Sequence, residues 1–192
     1  MAIAINGSGT VTGISVGGLP DGCVDTDTLA TSVTRGKILQ VVSTTKTDTT
    51  SVDVGSGNAY DFTAFNVAIT PTSTSNKVLV LATVSVGWNS TMPFFMNLQV
   101  NGSVCTDAVG DAAGNRNRSS MGGFQGHTGG IETVNLSFVH SPASTSTQTY
   151  NIAFRHDSSQ TKTLNVNRSS GDSDSSQNGR FASSLIAMEV AA

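Results

Sequence analysis

Charge is scarce in this sequence. Asp, Glu, Lys and Arg make up 12% of its 192 residues, about half the usual share, and the net charge is only −3. That excludes the strong basic field needed to hold a nucleic-acid backbone. Disordered chains combine high net charge with few apolar residues. Here 37% of residues are apolar, so an ordered chain is expected. Glutamate occurs only at Glu132 and Glu189, which leaves little for hydrolysis by paired carboxylates. Most aspartates sit in turn-like contexts, where Asp serves the backbone.

Other absences narrow the reading further. The two cysteines, Cys23 and Cys105, lack metal-ligand spacing; two reduced thiols are the plain reading and a disulfide the rarer one. The three histidines, His127, His140 and His156, form no H-E-x-x-H or H-x-H pattern. No G-x-S-x-G elbow occurs among the many serines. No apolar run is long enough to cross a membrane as a helix, and the opening Met1-Ala-Ile-Ala-Ile runs into Asn-Gly-Ser-Gly rather than reading as a secretory signal. The expectation is a chain with no catalytic residues, no metal, no cofactor and no membrane insertion.

Ser, Thr, Asn and Gly are plentiful, and so are short apolar alternations. The longest apolar run is NKVLVLATVSVGWN (76–89). Val78, Val80, Ala82, Val84 and Val86 share one parity, and Leu79 and Leu81 begin the other. Apolar residues on both parities predict a central strand covered on both faces. Lys37–Val42 is likewise apolar on both parities. Tyr60 and Phe62 share a parity that Phe65, Val67 and Ile69 do not, which predicts a bulge near Thr63–Ala64. Met96, Leu98 and Val100 lead into Asn101-Gly102, a hairpin signal. Further alternations lie at 134–138, 150–154, 164–166 and 186–190. These strands predict an all-β, jelly-roll-like sandwich over residues 35–192. Long loops are expected at 107–123, 141–147 and 169–180.

Residues 1–34 are different. Glycine recurs at 7, 9, 13, 17, 18 and 22, between short β pieces, and Leu19-Pro20-Asp21-Gly22 is a turn. Asp25 and Asp27 are placed to cap a short helix through Leu29 and Val33. The segment has too few bulky apolar residues to fold alone, so it is expected to anchor or trimerise the protein by meeting copies of itself or a neighbour.

Candidate contacts for a receptor or partner are few. Trp88 offers a stacking surface for a sugar, against the alternative of a core or interface side chain. Asn115, Arg116 and Arg118 form the one local basic cluster, suited to a glycan, a phosphate or an acidic neighbour. Arg168, Asp172 and Asp174 fall in NRSSGDSDSSQNG (167–179). This stretch lacks the terminal Glu and the glycine position of a calcium loop and reads as a polar turn.

Several segments in order carry a resemblance. GTVTGISVGGLPDGCVDTDTLA (9–30), RGKILQVVSTTKTDT (35–49), ITPTSTSNKVLVLATVSVG (69–87), TYNIAFR (149–155), TLNVNRSSGDSDSS (163–176) and GRFASSLIAMEV (179–190) resemble tail-fibre-like virion proteins of tailed bacteriophages, of the marine phage and cyanophage type. The resemblance implies a homotrimeric structural protein of the virion, assembled in the host cytoplasm. It would be attached to another virion protein through residues 1–34, with its loops in reach of host surface glycans. The shaft repeats of long fibres are missing. A capsid decoration or head-fibre protein without a receptor role is the alternative, and an enzyme that degrades host polysaccharide is a third.

Overall fold

The computed structural model describes residues 37–192 and, before them, two short strands, β1 (Ala4–Ile5) and β2 (Val11–Thr12), which pair antiparallel. The chain divides into two units, Met1–Gly36 and Lys37–Ala192. The helix expected through Leu29 and Val33 lies outside the described residues, as does Cys23.

The strands of the larger unit are β3 (Ile38–Lys46), β4 (Thr50–Val54), β5 (Ala59–Ile69), β6 (Lys77–Trp88), β7 (Met92–Val100), β8 (Ser103–Val104), β9 (Met121–Gln125), β10 (Glu132–His140), β11 (Gln148–His156), β12 (Lys162–Val166) and β13 (Ser183–Val190). All their pairings are antiparallel. In the first sheet β6 pairs with β10 along one side. On its other side it meets β13 over Lys77–Thr83 and β12 over Val86–Trp88. β12 and β13 therefore lie end to end in one row, and β3 and β4 form the next. The second sheet runs β5, β11, β7, with β8 and β9 sharing the far edge.

Successive rows alternate between the two sheets, except where β7 passes to its neighbours β8 and β9. That is the jelly-roll arrangement of a β-sandwich. Each sheet turns one parity inward. Trp88, Tyr150, Phe62, Phe65, Phe94 and Phe154 fill the space between them and are fully buried. The phase slip in β5 is present: pairing with β11 jumps from Asn66↔Asn151 to Asp61↔Ala153. The extra residues let Phe62 and Phe65 both face inward, their rings 5.7 Å apart. Asn101 (φ 52) and Gly102 (φ 79) make the tight hairpin between β7 and β8, both in the left-handed region that this turn demands. β4 and β9 were not legible as strands, and β9 shortens the loop expected over 107–123.

The expectation that β6 is covered on both faces fails within this unit. Its inward residues from Val78 to Trp88 are buried, but Leu79 and Leu81 are only partly so. They face outward beside Ile186 and Met188 of β13. β3 behaves alike: Leu39 is 48% exposed and Val41 55%.

One charged side chain enters the core layer. Glu189 of β13 is fully buried. Its Oε1 accepts hydrogen bonds from the Thr72 N–H (2.6 Å), the Thr72 hydroxyl (2.8 Å) and the Asn76 amide (2.6 Å), and its Oε2 from the Gln40 amide (2.7 Å). Four donors offset the cost of burying the charge and pin the loop between β5 and β6 to the last strand.

Candidate functional site

The most elaborate surface feature arises where one row of the first sheet is interrupted. Between β12 and β13 the chain leaves the sheet at Asn167 and returns at Ser183. Asn167 takes φ 63, a conformation that Asn tolerates better than most residues. Its N–H donates to the Ser85 carbonyl (2.9 Å). The next ladder position is filled by a side chain, as the Ser85 N–H donates to the Ser183 hydroxyl (3.1 Å). That hydroxyl donates to Asn167 Oδ1 (2.6 Å), and the Asn167 amide reaches the carbonyls of Lys46 (2.8 Å) and Asp48 (3.0 Å), where β3 gives way to β4. Two irregularities in adjacent rows thus satisfy each other. Gly87 is required here: a Cβ on it would stand 2.8 Å from the Arg168 carbonyl and 3.1 Å from that of Gly130.

Replacing Asn167 with Ala removes two donors and one acceptor at a fully buried position and leaves a residue with φ above zero. We expect a loss of about 2–3 kcal/mol, read as a fall in the thermal midpoint. A fall below about 1 kcal/mol would mean that the neck closes without this amide.

Beyond the neck the loop is tied internally. The Arg168–Arg180 bridge and the Phe181 N–H to Asn167 carbonyl bond (3.0 Å) close its base. The Asn178 amide donates to the Ser173 carbonyl (2.9 Å) and hydroxyl (2.8 Å), and its Oδ1 lies 3.2 Å from the Ser169 hydroxyl. Asp172 is bonded to Arg180 and lies 3.6 Å from Arg168. Asp172, Ser173, Asp174, Ser175, Asn178 and Arg180 line an open depression of about 310 Å³. Its lining offers carboxylate acceptors beside amide, hydroxyl and guanidinium donors. That set suits a polyhydroxylated ligand.

The structure therefore brings Arg168, Asp172 and Asp174 into one loop with Asn178 of the same polar stretch, and adds Arg180, which was not among the candidate contacts. Two arginines bracketing an acidic stretch were the signal available for Arg180. Asn115, Arg116 and Arg118 lie elsewhere, in the loop before β9. There Arg118 Nε donates to the Gly110 carbonyl (2.6 Å) and Arg116 to that of Ala113 (3.1 Å). This loop is anchored to the second sheet, where the Ser120 hydroxyl accepts from the Leu98 N–H. Trp88 is no stacking platform: it is fully buried, edge-on to His156 (5.5 Å) and 6.3 Å from the Phe94 ring.

Two of the three histidines serve packing, and His127 lies exposed in the turn before β10. His156 holds the Val54 carbonyl at 2.8 Å and accepts from the Ser158 N–H. His140 pairs with the Tyr150 hydroxyl at 2.8 Å; burial lowers the His140 pKa and raises that of Tyr150. Cys105 is a buried free thiol whose pKa burial raises. Among the described residues, no group of three or more His, Cys, Asp or Glu is placed to hold a metal ion, and no helix is long and apolar enough to cross a membrane. The chain matches no protein-family model and no curated protein.

Proposed function

We propose that this protein is a structural component of a tailed-bacteriophage virion. In this reading it is a homotrimeric tail-fibre or fibre-like protein, attached to another virion protein through residues 1–34. The loop over 168–182 contacts host surface glycans. The observation that carries the proposal is a pre-organised polar loop, closed at its neck by Asn167 and Ser183, standing on a rigid β body. Variable contacts belong on such loops. The ordered run of tail-fibre-like segments gives the reading its particle context. Glu189, one of only two glutamates, is taken up by four donors.

Antibody-gold labelling of intact particles tests the proposal. Label on the tail supports it, label on the capsid supports the decoration alternative, and particles without label refute both. Purified protein should also slow particle adsorption to host cells. Asp172→Ala combined with Arg180→Ala should abolish that competition while leaving the circular dichroism unchanged.

A further inference from the structure

A second depression lies at the other end of β12 from the loop over 168–182, where β11 runs out into the connection to β12. Its volume is about 190 Å³, and its walls are the turn between β4 and β5, at Ser56 and Gly57, and the stretch from Arg155 to Ser159. The walls are tied to each other. His156 Nε2 donates to the Val54 carbonyl at 2.8 Å, and its Nδ1 accepts from the Ser158 N–H at 3.1 Å. The turn is closed by the Asn58 N–H on the Gly55 carbonyl (3.1 Å), with Gly57 at φ 70. The depression is therefore shaped before anything enters it. We infer that it binds a carboxylate-bearing saccharide unit, with the carboxylate on Arg155 and the ring hydroxyls on Asp157 and the serines.

Arg155 is the unspent group. It stands near the end of β11, opposite Ala59 of β5 and Phe95 of β7, and is half-buried. Among the described residues its guanidinium makes no hydrogen bond and no ion pair, and its Nε is buried without an acceptor. Buried donors are almost always satisfied, and a charged one is the costliest to leave alone. The other arginines of the described residues behave differently. Arg116, Arg118 and Arg168 each donate to a backbone carbonyl, and Arg180 donates to Asp172. Arg155 alone is held in place by packing, with its bonding capacity kept for an acceptor from outside.

The lining selects the class of ligand. A guanidinium takes a planar carboxylate in two parallel bonds. Both His156 nitrogens are spent, so Arg155 is the only cation in the lining, and Asp157 balances it. A singly charged acid with hydroxyls matches that pattern. A doubly charged phosphate would meet one cation and one like charge. No aliphatic side chain lines the depression, so the apolar parts of a peptide have nothing to bury against. Asp157 accepts hydrogen bonds, and the Ser56 and Ser159 hydroxyls both donate and accept, as neighbouring ring hydroxyls require. The volume falls below the roughly 300 Å³ at which pockets for drug-sized ligands begin. It suits one sugar unit, and the open side leaves room for the chain to continue.

Amide chemical shifts of the full-length protein, titrated with galacturonate, glucuronate and N-acetylneuraminate, test this. At least one of these acids should move the amides of Gly57, Asp157 and Ser159 and saturate in the millimolar range. Arg155→Gln should weaken that binding by at least about tenfold. Ser56→Glu sets a second carboxylate in the depression from an exposed turn position, where folding is not at stake, and should weaken it as well. Asp172→Ala combined with Arg180→Ala should leave it unchanged, since those residues belong to the other loop. The inference is overturned if none of the acids moves these amides, or if either Arg155→Gln or Ser56→Glu binds as tightly as the wild type. It is also overturned if neutral galactose, acetate or inorganic phosphate moves the same amides at equally low concentration. Particles without gold label would refute the virion assignment and leave this site standing.

Discussion

Trp88→Ala should lower the thermal midpoint by about 10–15 °C, the largest effect of any single change considered. Truncating a fully buried tryptophan costs about 3–5 kcal/mol, part lost transfer energy and part cavity. A chain of this size loses roughly 2–4 °C per kcal/mol. The site has little freedom to collapse. Trp88 ends β6, is paired with Leu164 of β12, and packs against Phe94 and His156. Trp88→Phe supplies the control. The indole N–H has no hydrogen-bond partner among the described residues, so losing it sacrifices no bond, and this variant should lose under about 2 kcal/mol. Calorimetry at fixed protein concentration reads both changes. A fall below 3 °C for Trp88→Ala would show that the ring is not a keystone of the core.

Glu189→Gln should cost about 3 kcal/mol and flatten the response to acid. A carboxylate accepts from all four donors; an amide would turn its own NH₂ towards at least one of them. Burial by itself raises the pKa of this carboxyl. The hydrogen bonds from Asn76, Gln40 and Thr72 outweigh burial and hold it at about 2, whereas an unfolded glutamate titrates near 4.3. The unfolded chain therefore binds the proton more tightly. The contribution of Glu189 is complete above about pH 5, shrinks as pH falls from about 4.5 towards 2, and is gone below both values. Urea midpoints measured from pH 7 down to pH 2.5 should fall in the wild type across that window, and less so in Glu189→Gln. Parallel curves for the two proteins would mean that another group governs the acid response.

The sequence revealed whatever depends on near neighbours. The β5 bulge follows from one phase slip, and the Asn101-Gly102 hairpin from one dipeptide. The inward parity of β6 follows from its valines. Features that depend on distant partners were not legible. Glu189 reaches Asn76 across 113 positions and Gln40 across 149, so nothing near it marked it as a buried anchor. β9 reads as a loop because Gly122 and Gly123 sit in its centre. The Gly122 position admits only glycine, because a Cβ would stand 2.6 Å from the Phe94 carbonyl. Within the candidate loop, Arg168, Asp172 and Asp174 were visible as charge in a polar stretch. The Asn167–Ser183 neck was not, since it exists only once β12 and β13 share a row.

That shared row also bears on how the chain is made. The strand that fills the place between β6 and β3 is β13, which follows both of them far along the chain. Until residue 190 has left the ribosome, β3 has no neighbour in its layer and the flank of β6 over Lys77–Thr83 stays open. The first sheet is therefore completed only after translation has passed β13, and a nascent chain stalled earlier carries two unpaired edges.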